Sequence, residues 1–408
     1  MNRSVGPTDG ESGLEEVDGG RTDADRAGWL ISVDDHVIEP PHVWQSRAPA
    51  RDHDRVPRVV SDGDVDFWVY EDVRMPITSL LVQAGSSPEN VVPRNMSYRE
   101  LRPEIYDSSA RVADLDRDNV LASACFPFFP RYCGQTFLEA SDRSLALQCV
   151  RSYNDWMIEE WCGEAPGRFI PLVIMPLWDS RLAAAEIERC AEKGAKAICF
   201  SENPSKLGLP SIHDPEDYWE PVLAAANDTA MPLCIHFGSS SMVPSTSPDA
   251  PQFVPALLSP LNLAYCLADW LFCGKLDPYP DLKICLSEGG IGWIPYLLER
   301  AEYILGTMEW ALRFDVGNGK IVPRERWDLT PPSDVFKAHV YGCFIDDAFG
   351  AANLERIGVD NVMMETDYPH GDTSFPLSRA RSDRLLAGYS VEVKYKVRQG
   401  NARRVFNL

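Results

Sequence analysis

Asp34 and His36 lie two positions apart in the stretch Ile31 to Trp44 (ISVDDHVIEPPHVW), where an apolar run gives way to acids and a histidine. On an extended chain residues two apart point to the same side, so Asp34 and His36 face together while Asp35 faces away. Three more ionisable side chains close later apolar runs: His236 in PLCIHFGSS, Glu288 in ICLSEGG and Asp367 in MMETDYPHGD. Brought to one place, three carboxylates and two imidazoles would repel and desolvate one another unless a cation joined them. Imidazole and carboxylate donors suit one divalent zinc, manganese or iron ion, zinc foremost, better than an ion that seeks thiolates. Singly, each residue has a plainer reading: a helix cap for Asp34, a hydrogen-bonded core histidine for His236, a surface turn for Asp367. Only their convergence asks for a metal.

The elements that must position these residues are short runs rich in valine and isoleucine. They are WLISV (29–33), NVLASACF (119–126), RFIPLVIM (168–175), AKAICF (195–200), MPLCIHF (231–237), LKICLSE (282–288), VYGCFI (340–345) and NVMMET (361–366). Runs apolar on both faces and separated by amphipathic stretches predict parallel strands covered by helices. Eight of them predict an α/β fold of the closed (β/α)8 barrel type, whose active site lies at the C-terminal ends of the strands, where the polar residues fall. An open doubly wound sheet is the alternative, weakened because no glycine-rich phosphate loop follows the first strand. A crossover helix is expected from Ser180, as N-cap, to Gly194, and another from Asp214 with proline in its first turn.

About 85 residues separate the first two strands, more than a crossover needs. Residues 43–110 are therefore expected to form an insertion, a cap over the barrel mouth or a subunit contact. Asp62-Gly63 between alternating residues signals a hairpin inside it. A second long segment, from about Thr307 to Lys337, has mixed composition. Residues 1–28 carry Asp9, Glu11, Glu15, Glu16, Asp18, Asp23 and Asp25 with little to bury, which predicts a disordered acidic leader ahead of a barrel domain spanning 29–408.

Of 408 residues 45% are apolar, an ordinary globular proportion, and the net charge is -22. That charge repels nucleic acid and anionic membrane surfaces, so the expected partner is a small molecule. No run reads as long and apolar enough to cross a bilayer, and no signal peptide is visible, so the cytoplasm is expected. The eleven cysteines show no C-x-x-C spacing and read as reduced core residues.

D-x-H on the first strand, a lone histidine on the fifth and TDYPH after the eighth together resemble the amidohydrolase-related group that includes aminocarboxymuconate-semialdehyde decarboxylase. The ending GNARRVFNL is similar too, and the likeness runs from about Ile31 to Leu408. The resemblance implies that Asp34, His36, His236 and Asp367 bind one catalytic metal, and that the protein is a homodimer or higher homo-oligomer. Two positions depart from the pattern. Asp34 stands where His or Glu is usual, and Glu288 where many members place a catalytic histidine.

The group performs both hydrolysis and nonoxidative decarboxylation, so charge must choose. Asp34, Glu288 and Asp367 against a divalent ion leave the site near -1, and no lysine or arginine is evident that would draw in a carboxylate. The expected reaction is accordingly hydrolysis of a carbonyl-type bond by water on the metal, with Glu288 and Asp367 as catalytic proton carriers. Decarboxylation of a small carboxylic acid is the alternative, and a ligand-binding barrel without catalysis a third. His370, Trp178 and Phe128 are expected at the substrate. His42, close in sequence to the site, reads as part of the insertion.

Overall fold

The structure is a computed structural model and describes residues 26–317, 320–323 and 329–408. The leader predicted over 1–28 lies outside the described residues as far as position 25. Among the described residues eight parallel strand positions close into a barrel. They are Leu30–Val37, Val120–Pro127, Phe169–Ile170 continued as Leu172–Val173, Ala197–Phe200, Leu233–His236, Ile284–Ser287, Val340–Phe344 and Val362–Met364. Pro171, which has no N–H to give a ladder, divides the third. The last strand returns to the first: Asp367 N–H donates to Asp34 O at 3.0 Å and His36 N–H to Tyr368 O at 2.7 Å. Each strand is buried along its whole length, as parallel strands under helices must be.

The first strand runs further than its apolar part suggests, through Asp34, Asp35 and His36 to Val37. Its register against the second strand slips between Ser32 and Asp35, the mark of a bulge. The bulge sits where the strand changes from apolar filling to polar site.

Two helix starts differ from expectation. The crossover helix begins at Ser180, but its cap is Asp179, whose carboxylate accepts from Arg181 N and Leu182 N at 3.0 Å. Asp214 instead ties a turn by accepting from Tyr218 N, and the helix starts at Glu220 with Pro221 in its first turn. A further run corrects the reading of hydropathy. Phe253–Phe272 is 20 residues with mean hydropathy 1.2, long and apolar enough to cross a membrane. It is two helices, Phe253–Leu258 and Leu261–Phe272, the second burying Leu263, Cys266, Leu267, Trp270 and Leu271.

Between the first strand and the helix Ser108–Asp118 lies a three-stranded antiparallel sheet, Arg58–Asp62, Val65–Tyr70 and Val73–Pro76. Asp62 pairs with Val65 across a turn of Gly63, at φ 63°, and Asp64. Trp68 and Tyr70 alternate inward, Trp68 meeting Trp44 at 5.0 Å and Phe129 at 5.2 Å. This aromatic cluster seats the insertion on the loop after the second strand. In the second long segment, Phe314–Gly317 and Lys320–Pro323 pair antiparallel before the helix Pro332–His339. All eleven cysteines are free and all but Cys273 are fully buried.

Candidate metal centre

Asp34, His36, His236 and Glu288 each offer one ligand atom, and those atoms all lie within 4.8 Å of one another. Asp367 forms a second such group with His36 and His370, and a third with Glu288 and Asp372. The individual approaches are close. His36 Nε2 lies 2.9 Å from Asp367 Oδ1 and 3.6 Å from Asp34 Oδ1, and His236 Nε2 lies 2.9 Å from Glu288 Oε2 and 3.5 Å from Asp34 Oδ2. Yet Nε2 of both histidines and all four oxygens of Asp34 and Asp367 are buried without a hydrogen-bond partner among the described residues. Buried polar atoms are nearly always paired, and leaving these unpaired would cost several kcal/mol. The two Nε2 atoms and an Asp34 oxygen belong to one group with Glu288, and such a convergence of orphaned donors fits a divalent cation.

The donors are prepared for one. His236 Nδ1 lies 2.6 Å from Phe237 O, which requires the proton on Nδ1 and leaves the Nε2 lone pair free. Burial, then the His36 charge, hold His236 well below its ordinary pKa. Burial, then His370, bring His36 down to about 4. Both imidazoles are thus neutral near pH 7. Burial, then Glu365, push the Asp34 carboxyl well up, and burial, then Asp367, do the same to Glu288. Cations reverse such shifts, because they stabilise the ionised form directly. Asp367 already behaves so: burial would raise it, but the His370 and His36 imidazoles hold it well below the usual range.

Backbone strain marks the same rim. Arg131 (φ 60°), Ser241 (φ 61°), Glu288 (φ 59°) and Asp367 (φ 49°) all sit in the left-handed region, which costs a non-glycine residue about 1 to 2 kcal/mol. Glu288 is held there by Glu365, whose two carboxylate oxygens each lie 3.1 Å from Glu288 N. Asp367 is held by the closing bond to Asp34.

A cavity of about 300 Å³ opens beside the cluster. His36 and His370 form its floor, stacked with centroids 3.8 Å apart, and Phe128, Arg131 and Tyr132 its wall. Met75 and Leu81 reach it from the inserted segment. Of the residues expected at the substrate, His370 and Phe128 line this cavity. Trp178 does not; it packs under the Arg143 guanidinium at 5.0 Å, because the loop after the third strand turns away from the mouth. His42 pairs with Glu160 at 2.9 Å, away from the cluster.

The sequence profile of the family described as amidohydrolase matches residues 61–408. The chain belongs to the amidohydrolase family. Two relatives of this chain are decarboxylases: a gamma-resorcylate decarboxylase of Polaromonas sp. (24% identical, covering 66% of this chain and 79% of the relative) and a 2-amino-3-carboxymuconate-6-semialdehyde decarboxylase of Caenorhabditis elegans (21%, covering 72% and 78%). Among solved structures it is similar to an amidohydrolase from Mycobacterium avium subsp. paratuberculosis K-10 (20% identical, covering 93% and 99%, TM-score 0.70). It is also similar to a dihydroxybenzoic acid decarboxylase from Polaromonas sp. JS666 with bound manganese and the inhibitor 2-nitroresorcinol (18%, covering 93% and 97%, TM-score 0.59). The orphaned donors therefore sit at the mouth of a barrel built like those of known family members.

Several residues of this site carry no signal in the sequence or only a weak one. Glu365 and Asp372 flank the TDYPH motif and were within reach of it. Arg131 and Tyr132 carry no signal: they follow the second strand in an aromatic and proline-rich loop, and only folding lays the Tyr132 ring flat on His236 at 4.1 Å. Glu202 is likewise silent in sequence. Its buried carboxylate accepts from Gly238 N and Ser240 N, fixing the loop that follows His236.

Proposed function

We propose that this chain is a divalent-metal-dependent, nonoxidative decarboxylase of a small planar carboxylic acid. The observation that carries the reading is Arg131. The expectation of hydrolysis rested on a net negative site with no cation to admit a carboxylate, and Arg131 stands in the cavity wall beside the cluster. Tied to Glu139 at 2.7 Å and to Ser241, its guanidinium is held in place to meet an anion. Relatives that are decarboxylases favour the same choice over hydrolysis.

The residues divide the work as follows. Asp34, His36, His236 and Glu288, with Asp367 beside them, would hold the metal, which supplies an electrophilic anchor for oxygen atoms of the substrate. Its donor set is rich in oxygen, which suits manganese at least as well as the zinc expected from sequence. Manganese is also the ion of the solved dihydroxybenzoic acid decarboxylase. Phe128, Tyr132 and His370 form flat walls for a planar acid, and the insertion acts as a cap through Met75 and Leu81. The carbon–carbon bond to the carboxyl breaks, carbon dioxide leaves, and the electron pair left on carbon takes a proton. His370 is placed to give it: Nδ1 faces Asp367 Oδ1 at 2.9 Å, and Asp367 raises its pKa against the effect of burial. In this reading Asp367 acts through His370, and Glu288 serves as a ligand.

The test uses metal-replete protein and a panel of hydroxybenzoates. Release of carbon dioxide, with one solvent deuterium at the vacated carbon in D2O, supports decarboxylation. Product that gains oxygen from labelled water without carbon dioxide supports hydrolysis instead. Protein that neither holds nor takes up a stoichiometric divalent metal would argue for a barrel without this catalysis.

A further inference from the structure

The cavity beside the metal centre is polar at one side and apolar over the rest of its wall. Among the described residues only four of its side chains can hydrogen-bond: His36, His370, Arg131 and Tyr132. Each already has a task. His36 is a candidate ligand, His370 faces Asp367 at 2.9 Å, Arg131 is held by Glu139 and Ser241, and Tyr132 lies flat on His236. Of the 61 acids in the chain none lines the cavity, and neither does any lysine, side-chain amide, serine or threonine among the described residues. A hydroxyl or amine on the far part of a ligand would lose its water there and find no side chain in exchange.

The insertion supplies much of the apolar wall. Met75 pairs with Trp68 in the three-stranded sheet, and Leu81 closes the short turn of helix Ser79–Leu81. Both are partly buried against the core. Three residues beyond Leu81, Ala84 N–H donates to Pro369 O at 3.0 Å, which fastens the insertion to the loop that carries His370. Val37 and Ile38, at the end of the first strand, add to the same wall. The cavity volume of about 300 Å³ stands at the lower end of clefts that take drug-sized ligands, about 300 to 1,000 Å³. A ring with its carboxyl therefore leaves room for a substituent.

We infer that the substrate carries a hydrocarbon substituent of a few carbons seated against Met75 and Leu81, with no polar group at that end. The inference rests on the decarboxylase reading above for the placement of the carboxyl head, and it makes Met75 and Leu81 determinants of specificity.

Calorimetric binding of 2-hydroxybenzoate and its 4- and 5-alkyl derivatives, methyl to propyl, to the full, metal-replete chain tests it, with carbon dioxide release followed in parallel. In at least one of the two series Kd is expected to tighten about two- to fourfold per methylene. The hydroxymethyl derivative, similar in shape to the ethyl one, is expected to bind at least about fivefold more weakly than ethyl. Met75→Gln with Leu81→Asn is expected to flatten the dependence on chain length, and Leu81→Asn alone to reduce it should the double variant fail to fold. A Kd that tightens with length in neither series overturns the inference, as does an unchanged dependence in the folded variant, a hydroxymethyl compound that matches the ethyl one, or failure of every compound to bind. Tightening without carbon dioxide release keeps the inference and removes the decarboxylation. Release from 2-hydroxybenzoate with a Kd indifferent to chain length does the reverse.

Discussion

Asp34 and Asp35 are neighbours in the chain with opposite surroundings. The Asp35 carboxylate accepts from Ser32 Oγ at 3.0 Å, Thr366 Oγ1 at 2.5 Å, Tyr368 N at 2.9 Å and the Ser123 hydroxyl, binding first, second and last strands together. Both oxygens of Asp34, equally buried, have no hydrogen-bond partner among the described residues. One acid closes the barrel, and the other is left as a candidate ligand for an ion.

Replacement should separate these roles. Asp34→Asn is expected to weaken metal binding at least about tenfold and to leave the metal-free Tm unchanged or higher, since it removes an uncompensated buried carboxyl. Asp35→Ala is expected to cost about 3 kcal/mol by orphaning four donors. Urea unfolding with and without chelator, alongside metal titration, distinguishes the pair; equal loss of stability in both variants would contradict the assignment.

Arg131 should show in substrate affinity. Arg131→Ala is expected to raise KM for a carboxylate substrate by about 10- to 100-fold, with Arg131→Lys intermediate because it keeps the charge and loses the planar fork. The KM of an Arg131→Ala variant that stays at the wild-type value would return the argument to a neutral substrate.

Glu39 carries a pH dependence. It is fully buried, and its carboxylate accepts from Phe128 N and Phe129 N at 2.9 Å. Burial dominates over these bonds and pushes its pKa from 4.5 up to about 7. A group that holds its proton more tightly when folded contributes stability below its unfolded pKa, and that contribution is lost as pH rises through the folded value. Stability is thus expected to fall by up to about 3 kcal/mol between pH 4.5 and 7 on account of Glu39. Glu39→Gln should flatten this part of the Tm–pH curve, and an unaltered slope would remove Glu39 as its source.

The seat of the insertion should be breakable by itself. Trp68→Ala deletes a fully buried ring from between Trp44 and Phe129, at an expected cost of about 3 to 5 kcal/mol. Because Met75 follows on the next strand of the same sheet and lines the cavity, ligand affinity should drop while metal content holds. Loss of metal together with affinity would place the insertion's effect on the centre itself.

The sequence by itself determined the barrel and most of its polar mouth. Eight doubly apolar runs can only be parallel strands under helices, and a period of two on the first strand turns Asp34 and His36 one way and Asp35 the other. His236, Glu288 and Asp367 were legible for the same reason: a charged residue ending a buried strand needs a cause. The tertiary structure decided what depends on groups far apart in the chain. It put Glu288 in the candidate cluster with Asp34, His36 and His236, set Asp367 beside His370, brought Arg131 into the cavity wall, where the proposed decarboxylation uses it, and sent Trp178 elsewhere. Strand identity follows from local burial, whereas the direction of a loop side chain is set by whatever the closed barrel packs against it.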